Sequence, residues 1–323
     1  MILVTGGAGY IGSHYVLYER KRGAEVTVLD NMVYGHSEAV PDGTLVVGDV
    51  ADRTLLEAIF RENDIDAVVH FAAFASVGES VVHPERYYNN NVRATLNLLD
   101  TMRDFGVRNF VFSSSCATYG NPQYVPMDEA HPQNPINPYG ESKYICERIM
   151  SAYSHAHGLR FASLRYFNAA GADPEGRIGE SHEPESHLIP IVLQVATGKR
   201  NSVSVFGNDY DTPDGTCIRD YIHILDLAQA HSLALERLRS GAESDFFNLG
   251  TETGYSVKEV VDLCSQVTGK EIRTEIAPRR PGDPPRLVAS AAKAKSVLGW
   301  MPKYSDLKET IETAWNWERN RRF

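Results

Sequence analysis

Tyr139 and Lys143 stand four residues apart in Tyr139-Gly140-Glu141-Ser142-Lys143, and Ser113-Ser114-Ser115 lies upstream. On a helix the two share one face, with Cβ atoms roughly 5–6 Å apart. Pro135-Ile136-Asn137-Pro138 supplies a turn and a helix start, because a proline is tolerated in a first turn whose N–H groups lack partners. A free phenol has a pKa of about 10, so roughly one in a thousand is ionised at pH 7. A fixed ammonium beside it favours the phenolate, and a fall of about three units takes roughly 4 kcal/mol of differential interaction. The spacing therefore predicts a tyrosine general base held ready by a lysine. Tyr-x-x-x-Lys also occurs on ordinary surface helices, so the surrounding elements decide between the two.

Those elements begin at Ile2-Leu3-Val4, a strand leading into Thr5-Gly6-Gly7-Ala8-Gly9-Tyr10-Ile11-Gly12 and then a helix with a basic end, Arg20-Lys21-Arg22-Gly23. A second strand, Glu25-Val26-Thr27-Val28-Leu29, ends at Asp30, eighteen residues after Gly12. This is a βαβ unit of the dinucleotide-binding kind. Its glycines bring the backbone close to a pyrophosphate at the helix N-terminus. A terminal carboxylate accepts from the adenosine ribose hydroxyls and repels a 2′-phosphate, which favours NAD over NADP.

The alternation continues through Leu45-Val46-Val47, then Gly48-Asp49-Val50, where Asp49 either reaches the adenine amino group or caps the helix before Leu55-Leu56. Ala67-Val68-Val69-His70-Phe71-Ala72-Ala73 reads as a buried strand whose small last residues let a flat cofactor lie against the sheet. Tyr87, Val92, Leu96, Leu99 and Met102 predict one long helix around 84–105. Asn109-Phe110-Val111-Phe112 then delivers the serine run, and the Tyr139 helix continues to about His157 before a strand at Phe161–Arg165. Such alternation implies an α/β fold, a doubly wound Rossmann-type parallel sheet.

After Asn168 the pattern breaks. Residues 171–186 read as a long functional loop. A helix from Leu188, a strand at Val203–Phe206 and a final helix around Leu307–Trp317 belong to a smaller mixed α/β lobe. Phe246-Phe247-Asn248-Leu249 reads as a strand returning to the main sheet. The expected division is 1–167, with a returning segment near 220–250, and 168–323.

Composition narrows the partners. With 323 residues the soft prior is two lobes, and a net charge of −10 argues against nucleic acid. Four scattered cysteines without a C-x-x-C fit reduced thiols and suggest no metal site. No apolar run reaches membrane-span length, and a strand beginning at Ile2 leaves no basic region for a signal peptide, so a cytoplasmic location is expected.

Taken together, the glycine turn, Leu29-Asp30-Asn31, Gly48-Asp49-Val50, His70-Phe71-Ala72-Ala73, Tyr88-Asn89-Asn90-Asn91-Val92, Ser113-Ser114-Ser115, Pro138–Lys143 and Leu164-Arg165-Tyr166-Phe167-Asn168 resemble the extended short-chain dehydrogenases along essentially the whole chain. Phe206-Gly207-Asn208-Asp209-Tyr210, Arg219-Asp220-Tyr221-Ile222-His223 and Arg279-Arg280-Pro281-Gly282-Asp283 resemble, more selectively, the 4-epimerases of that family that interconvert UDP-glucose and UDP-galactose. The resemblance implies NAD that stays bound while a UDP-hexose is oxidised at C4, turned over and reduced from its other face. Tyr139 would take the O4 proton, Ser115 would hydrogen-bond O4, and Lys143 would hold the nicotinamide ribose and, with the nicotinamide cation, depress the tyrosine pKa. Gly6, Gly9, Tyr10, Ile11, Gly12, Asp30, Asn31, Asp49, Val50, Phe71, Ala72, Ala73, Asn91, Ser113 and Tyr166 would complete the NAD site.

Arg219 and Arg280 would hold the diphosphate, Asn168, His187 and the Leu188 amide would contact the UDP moiety, and Phe206 would pack near the uracil. Ser204 and Tyr221 would line the pocket, and Asp283 would hold the ribose. Bland alternatives remain: Arg219 pairing with Asp220, Phe206 as core, Asp283 capping a turn. His187 stands where many members carry Asn, and Leu287 where some carry a bulky Tyr; the shorter Leu implies room for an N-acetyl group. The family's dimers pair the helices at 84–105 and 138–157, which implies a homodimer here. Nucleotide-sugar 4,6-dehydratases keep an acidic pair after the serine strand, where this chain has Cys116-Ala117-Thr118. A uronate or pentose 4-epimerase, and a non-enzymatic NAD-sensing regulator, are the other readings.

Overall fold

The apolar N-terminal run forms the first strand of a computed structural model that describes residues 1–280 and 282–323; Pro281, inside the Arg279–Asp283 motif, lies outside them. β1 (Ile2–Thr5), α1 (Tyr10–Lys21), β2 (Val26–Asp30), β3 (Leu45–Val47), α2 (Arg53–Glu62) and β4 (Ala67–His70) open the chain. α3 (Val77–Val82), α4 (Pro84–Tyr87), α5 (Ala94–Asp104), β5 (Asn109–Ser115), α6 (Pro138–His157) and β6 (Arg160–Tyr166) follow. The chain then makes β7 (Asn168–Ala170), α7 (Leu188–Ala196), β8 (Val203–Phe206), β9 (Ile218–His223), α8 (Ile224–Arg239) and β10 (Asp245–Leu249). β11 (Gly254–Ser256), α9 (Val257–Thr268), β12 (Thr274–Ala277), β13 (Arg286–Leu287), α10 (Ala292–Leu298) and α11 (Leu307–Asn320) complete it.

A seven-stranded sheet runs in the order β3-β2-β1-β4-β5-β6-β10, every pair parallel. Its central strands are apolar on both faces because helices cover both, as a parallel sheet requires. One face buries Val4, Val28, Val69 and Val111 with residues of α1 and α8; the other buries Leu3, Leu29, Phe110 and Phe112 with residues of α2, α5 and α6. Strand order reverses between β1 and β4, the switch point at which ligands bind. A third core, with Ile189, Val192, Val260, Cys264 and Ile311, lies among α7, α9 and α11. There β9 pairs with β7, β11 and β13, while β8 pairs separately with β12. The Phe246 strand does return to the main sheet, pairing with β6.

The single helix expected over 84–105 is interrupted. Tyr88–Arg93 is a π-helical segment between α4 and α5. The Asn91 side chain donates to the Phe74 carbonyl and accepts from the Phe74 N–H, each at 2.9–3.0 Å, and donates to Ser142 Oγ at 3.0 Å. Its own carbonyl accepts from Thr95 Oγ1 at 2.6 Å and from Cys146. These bonds tie Asn91 to the catalytic helix, and the wider turn is what frees its backbone to make them.

Candidate active site

The cleft at the switch point starts with glycine geometry. Gly6 has φ +73°, and a Cβ there would lie 2.5 Å from the Ala72 nitrogen; a Cβ on Gly12 would lie 2.1 Å from the Gly6 oxygen. Gly6 is therefore glycine for its left-handed backbone as well as for packing, and Gly12 for packing. Gly9 differs. A Cβ there would meet only the Gly6 oxygen, at 3.5 Å, yet Gly9 lines the cleft and precedes α1 without any side-chain cap. The α1 N-terminus thus presents free N–H groups and a positive dipole end to a space that a side chain at position 9 would begin to fill, which fits a pyrophosphate. Asp30, 8% exposed, accepts from the Ala8 N–H at 3.0 Å and the Met32 N–H at 2.9 Å, and keeps acceptor capacity for ribose hydroxyls. Asn31 donates to Asp49 at 2.9 Å, and Asp49 accepts from the Ala51 N–H; the cap of α2 is Asp52, so the capping alternative for Asp49 is set aside.

The cleft measures about 790 Å³. Gly6, Tyr10, Ile11, Gly12, Asp30, Asn31, Asp49, Val50, Phe71, Ala72, Ala73, Ser113, Ser115, Tyr139, Lys143 and Tyr166 line it from the sheet side. Asn168, His187, Asp283 and Leu287 face them. Asn91 does not line it and acts from behind.

Strand geometry sorts the serines. Successive side chains on β5 point to opposite faces, so Ser113 and Ser115 face the cleft while Ser114 points away and donates to Glu147 at 2.7 Å. Glu147 also accepts from Ser163, from both ends of the Arg165 guanidinium and from Gln133, a buried network that pins α6 to the sheet. No sequence motif signalled it; only a glutamate on the inward face of the predicted helix could have done so. Asn137 caps α6 by accepting from the Gly140 N–H at 2.8 Å, with Pro138 at its first position.

Lys143 is 3% exposed, donates to the Ser113 carbonyl at 2.7 Å and lies over the Phe112 ring; burial pushes its pKa down to about 8. Tyr139, without a second cation beside it, is shifted the other way. Burial pushes its phenol up to about 12, against the pull of a hydrogen bond with Ser115. The lysine ammonium, committed to Ser113, does not lower it in the cofactor-free chain. Making that phenol half-ionised at pH 7 takes roughly 7 kcal/mol, more than the lysine alone supplies. Tyr166, buried beside Tyr139, hydrogen-bonds Ser113, and its phenol too is held above the ordinary range by burial.

The opposite wall is assembled from short strands and loops. Arg219 pairs with Asp283 at 2.5 Å, not with Asp220, which instead accepts from Thr251, Glu252 and Ala289. Arg280 lies 3.8 Å over the Phe206 ring. Asn168 donates to the Asp220 carbonyl at 2.9 Å. Leu188 opens α7, whose N-terminus has no side-chain cap, and with Tyr221 lines a smaller cavity next to the cleft, shared with Asn168 and His187. Ser204, exposed on β8, Phe206, Arg219 and Arg280 do not line the cleft. The positions after Ser115 form a short turn, Cys116–Thr118, without a carboxylate.

A doubly wound sheet with an uncapped helix N-terminus at its switch point, a buried carboxylate at the end of its second strand and a Tyr–Lys–Ser group at one cleft fits an NAD-dependent α/β enzyme. Residues 2–250 match the NAD dependent epimerase/dehydratase family, and the chain belongs to it. It is 56% identical over 318 residues to the UDP-glucose 4-epimerase of Halalkalibacterium halodurans, covering 98% of this chain and 95% of that one. A crystal structure of UDP-glucose 4-epimerase matches with TM-score 0.97 and 52% identity over 99% of this chain and 98% of its own. The Brucella ovis UDP-glucose 4-epimerase in complex with NAD matches with TM-score 0.94 and 48% identity, over 97% and 96%.

Proposed function

We propose that this chain is an isomerase interconverting UDP-glucose and UDP-galactose through transient oxidation at C4. The observation that carries this reading is the convergence of Tyr139, Ser115 and Lys143 on the cleft that also holds Asp30 and the bare α1 N-terminus. Bound in its oxidised form, NAD supplies a hydride acceptor for C4 and a positive ring charge that favours the Tyr139 phenolate. Tyr139 Oη takes the O4 proton and gives it back; Ser115 Oγ, hydrogen-bonded to Tyr139, orients O4; Lys143 reaches the nicotinamide ribose. Two uncapped helix N-termini, those of α1 and α7, suit two diphosphates, one of the cofactor and one of the substrate. Arg219 and Arg280 add charge at the second, with Asp283 passing from Arg219 to the ribose. A 4,6-dehydratase would need an acid and base where Cys116–Thr118 has neither.

Incubating the purified chain with UDP-galactose and no added NAD should yield UDP-glucose. No product, even after adding NAD, would overturn the reading, and turnover confined to UDP-uronates or UDP-pentoses would replace it with the corresponding epimerase. Leu287, at the cleft wall, leaves more room than a tyrosine, so UDP-GlcNAc and UDP-GalNAc should interconvert as well. Leu287→Tyr should suppress that activity selectively; absence of N-acetyl turnover in the parent chain refutes it. The reading includes a homodimer formed through α4–α5 and α6, where Tyr88 and Leu96 remain exposed, checked by light scattering, and a cytoplasmic location. No helix among the described residues is long and apolar enough to cross a membrane, and all four cysteines are free.

A further inference from the structure

Beside the cleft, residues 180–187 gather four potential metal ligands, which the cysteine-based reading of the sequence overlooked. Glu180, His182, Glu185 and His187 each place one donor atom within 4.8 Å of the others. His182 Nδ1 lies 3.2 Å from Glu180 Oε1 and 3.9 Å from Glu185 Oε2; His187 Nδ1 lies 2.6 Å from Glu180 Oε1 and 3.2 Å from Glu185 Oε1. Metal–ligand bonds of 2.0–2.1 Å in a tetrahedral zinc site put neighbouring donors about 3.3 Å apart. The observed separations bracket that figure.

A second observation points the same way. Glu180 is 8% exposed, yet among the described residues no group meets its Oε1 in hydrogen-bond geometry, close as the two imidazoles are, and the same holds for the buried His182 Nδ1. Buried polar atoms left unsatisfied cost about 1–3 kcal/mol each, so two of them side by side call for an explanation. Their lone pairs approach one another without hydrogen-bond alignment, as donors to a common cation do.

The surroundings hold the donors in place. The Glu180 carbonyl accepts from Trp317 Nε1 at 2.8 Å, Ser181 is bonded to Arg321 and to the Phe323 carbonyl, and the Ser181 carbonyl meets His36 at 3.1 Å. Glu185 Oε1 accepts from the Ser186 and His187 N–H groups, the kind of outer contact that orients a ligating carboxylate. The His182 ring packs edge-on against Tyr10, at the glycine turn.

We propose that Glu180, His182, Glu185 and His187 form a structural zinc site that clips the 171–186 loop to the start of α7. Two imidazoles and two carboxylates suit a borderline divalent ion, whereas magnesium and calcium prefer an all-oxygen shell. Four protein ligands close a tetrahedral shell, which marks a structural site and not a catalytic one. Two carboxylates also balance the charge of one Zn²⁺.

The test uses the full chain, stripped with EDTA and titrated with Zn²⁺ against a chromophoric chelator, with metal content read by atomic emission. One zinc per chain is expected, together with a higher thermal midpoint in zinc that magnesium does not reproduce. Outer-shell partners alone are worth 10–100-fold in affinity, so His182→Gln or Glu185→Gln should weaken zinc binding by more than about 100-fold. Both variants should melt like the parent in EDTA, which separates lost ligation from lost folding. Equal zinc uptake by parent and variants, or no zinc-dependent shift in the parent, overturns the proposal and leaves a cluster of hydrogen-bonded carboxylates and imidazoles.

Discussion

The two walls of the cleft are built on different plans. On the dinucleotide side, every polar group sits at the end of a strand or in the first turns of a helix. Asp30 closes β2, Ser113 and Ser115 close β5, and Tyr139 and Lys143 occupy the start of α6. All but the half-buried Tyr139 are buried, and their positions follow from strand and helix periodicity. On the opposite side, short strands and loops carry Asp283, which Arg219 already neutralises from outside the cleft lining, while Arg280, also outside it, lies on the face of Phe206. The rigid wall bears the titration cost of burial; the assembled wall holds paired charges that a ligand must exchange. The proposed function accordingly assigns chemistry to the first and recognition to the second.

Four experiments probe that contrast, in order of expected effect. Tyr139→Phe removes the general base and should lower turnover by roughly 10²–10⁴-fold while leaving NAD binding intact by fluorescence; retained turnover would take the chemistry away from this wall. Arg219→Met leaves Asp283 unpaired and should raise KM for the UDP-sugar by roughly 10–100-fold, about 1.5–3 kcal/mol of charged hydrogen bonding. NAD affinity should not move, and a matching loss there would show that the walls are not independent.

Gly9→Ala places a methyl where the protein leaves room, so the thermal midpoint of the NAD-free chain should hold, while NAD affinity falls by roughly 10–100-fold, the 1–3 kcal/mol of overpacking. Gly12→Ala should instead lower the midpoint, because its Cβ meets the Gly6 oxygen at 2.1 Å. A fourth experiment reads stability against pH and not affinity or turnover. The pKa of Lys143 is about 8 in the folded chain and 10.5 in its ordinary state, so between those values the unfolded chain binds more protons and stability rises with pH. The cost relieved is roughly 3 kcal/mol. The NAD-free parent should therefore gain on Lys143→Met from pH 8 to 10; parallel curves would show that burial of the ammonium is not what the fold tolerates here.

Much of the first wall was legible in the sequence because each residue there is fixed by local periodicity. Gly6 to Gly12, Asp30 and the Tyr139–Lys143 pair read correctly as strand, turn and helix positions. The π-helical segment at Tyr88–Arg93 was not legible: its cause is a set of bonds from Asn91 to Phe74 and Ser142, remote in the chain. What the surroundings do to Tyr139 in the chain alone was not legible for a related reason. Spacing puts an ammonium near a phenol, but whether desolvation or attraction wins depends on what else surrounds both groups.

The sequence by itself determined the doubly wound architecture, the cofactor and the residues on the reactive helix, since these rest on short-range repeats and turn chemistry. Only the tertiary structure decided that Arg219 meets Asp283, that Glu147 and Arg165 anchor the reactive helix, and that Glu180, His182, Glu185 and His187 converge. Arg219 and Asp283, like Glu147 and Arg165, meet across elements remote in the chain, and the close spacing of residues 180–187 does not by itself say that their donor atoms turn toward one point.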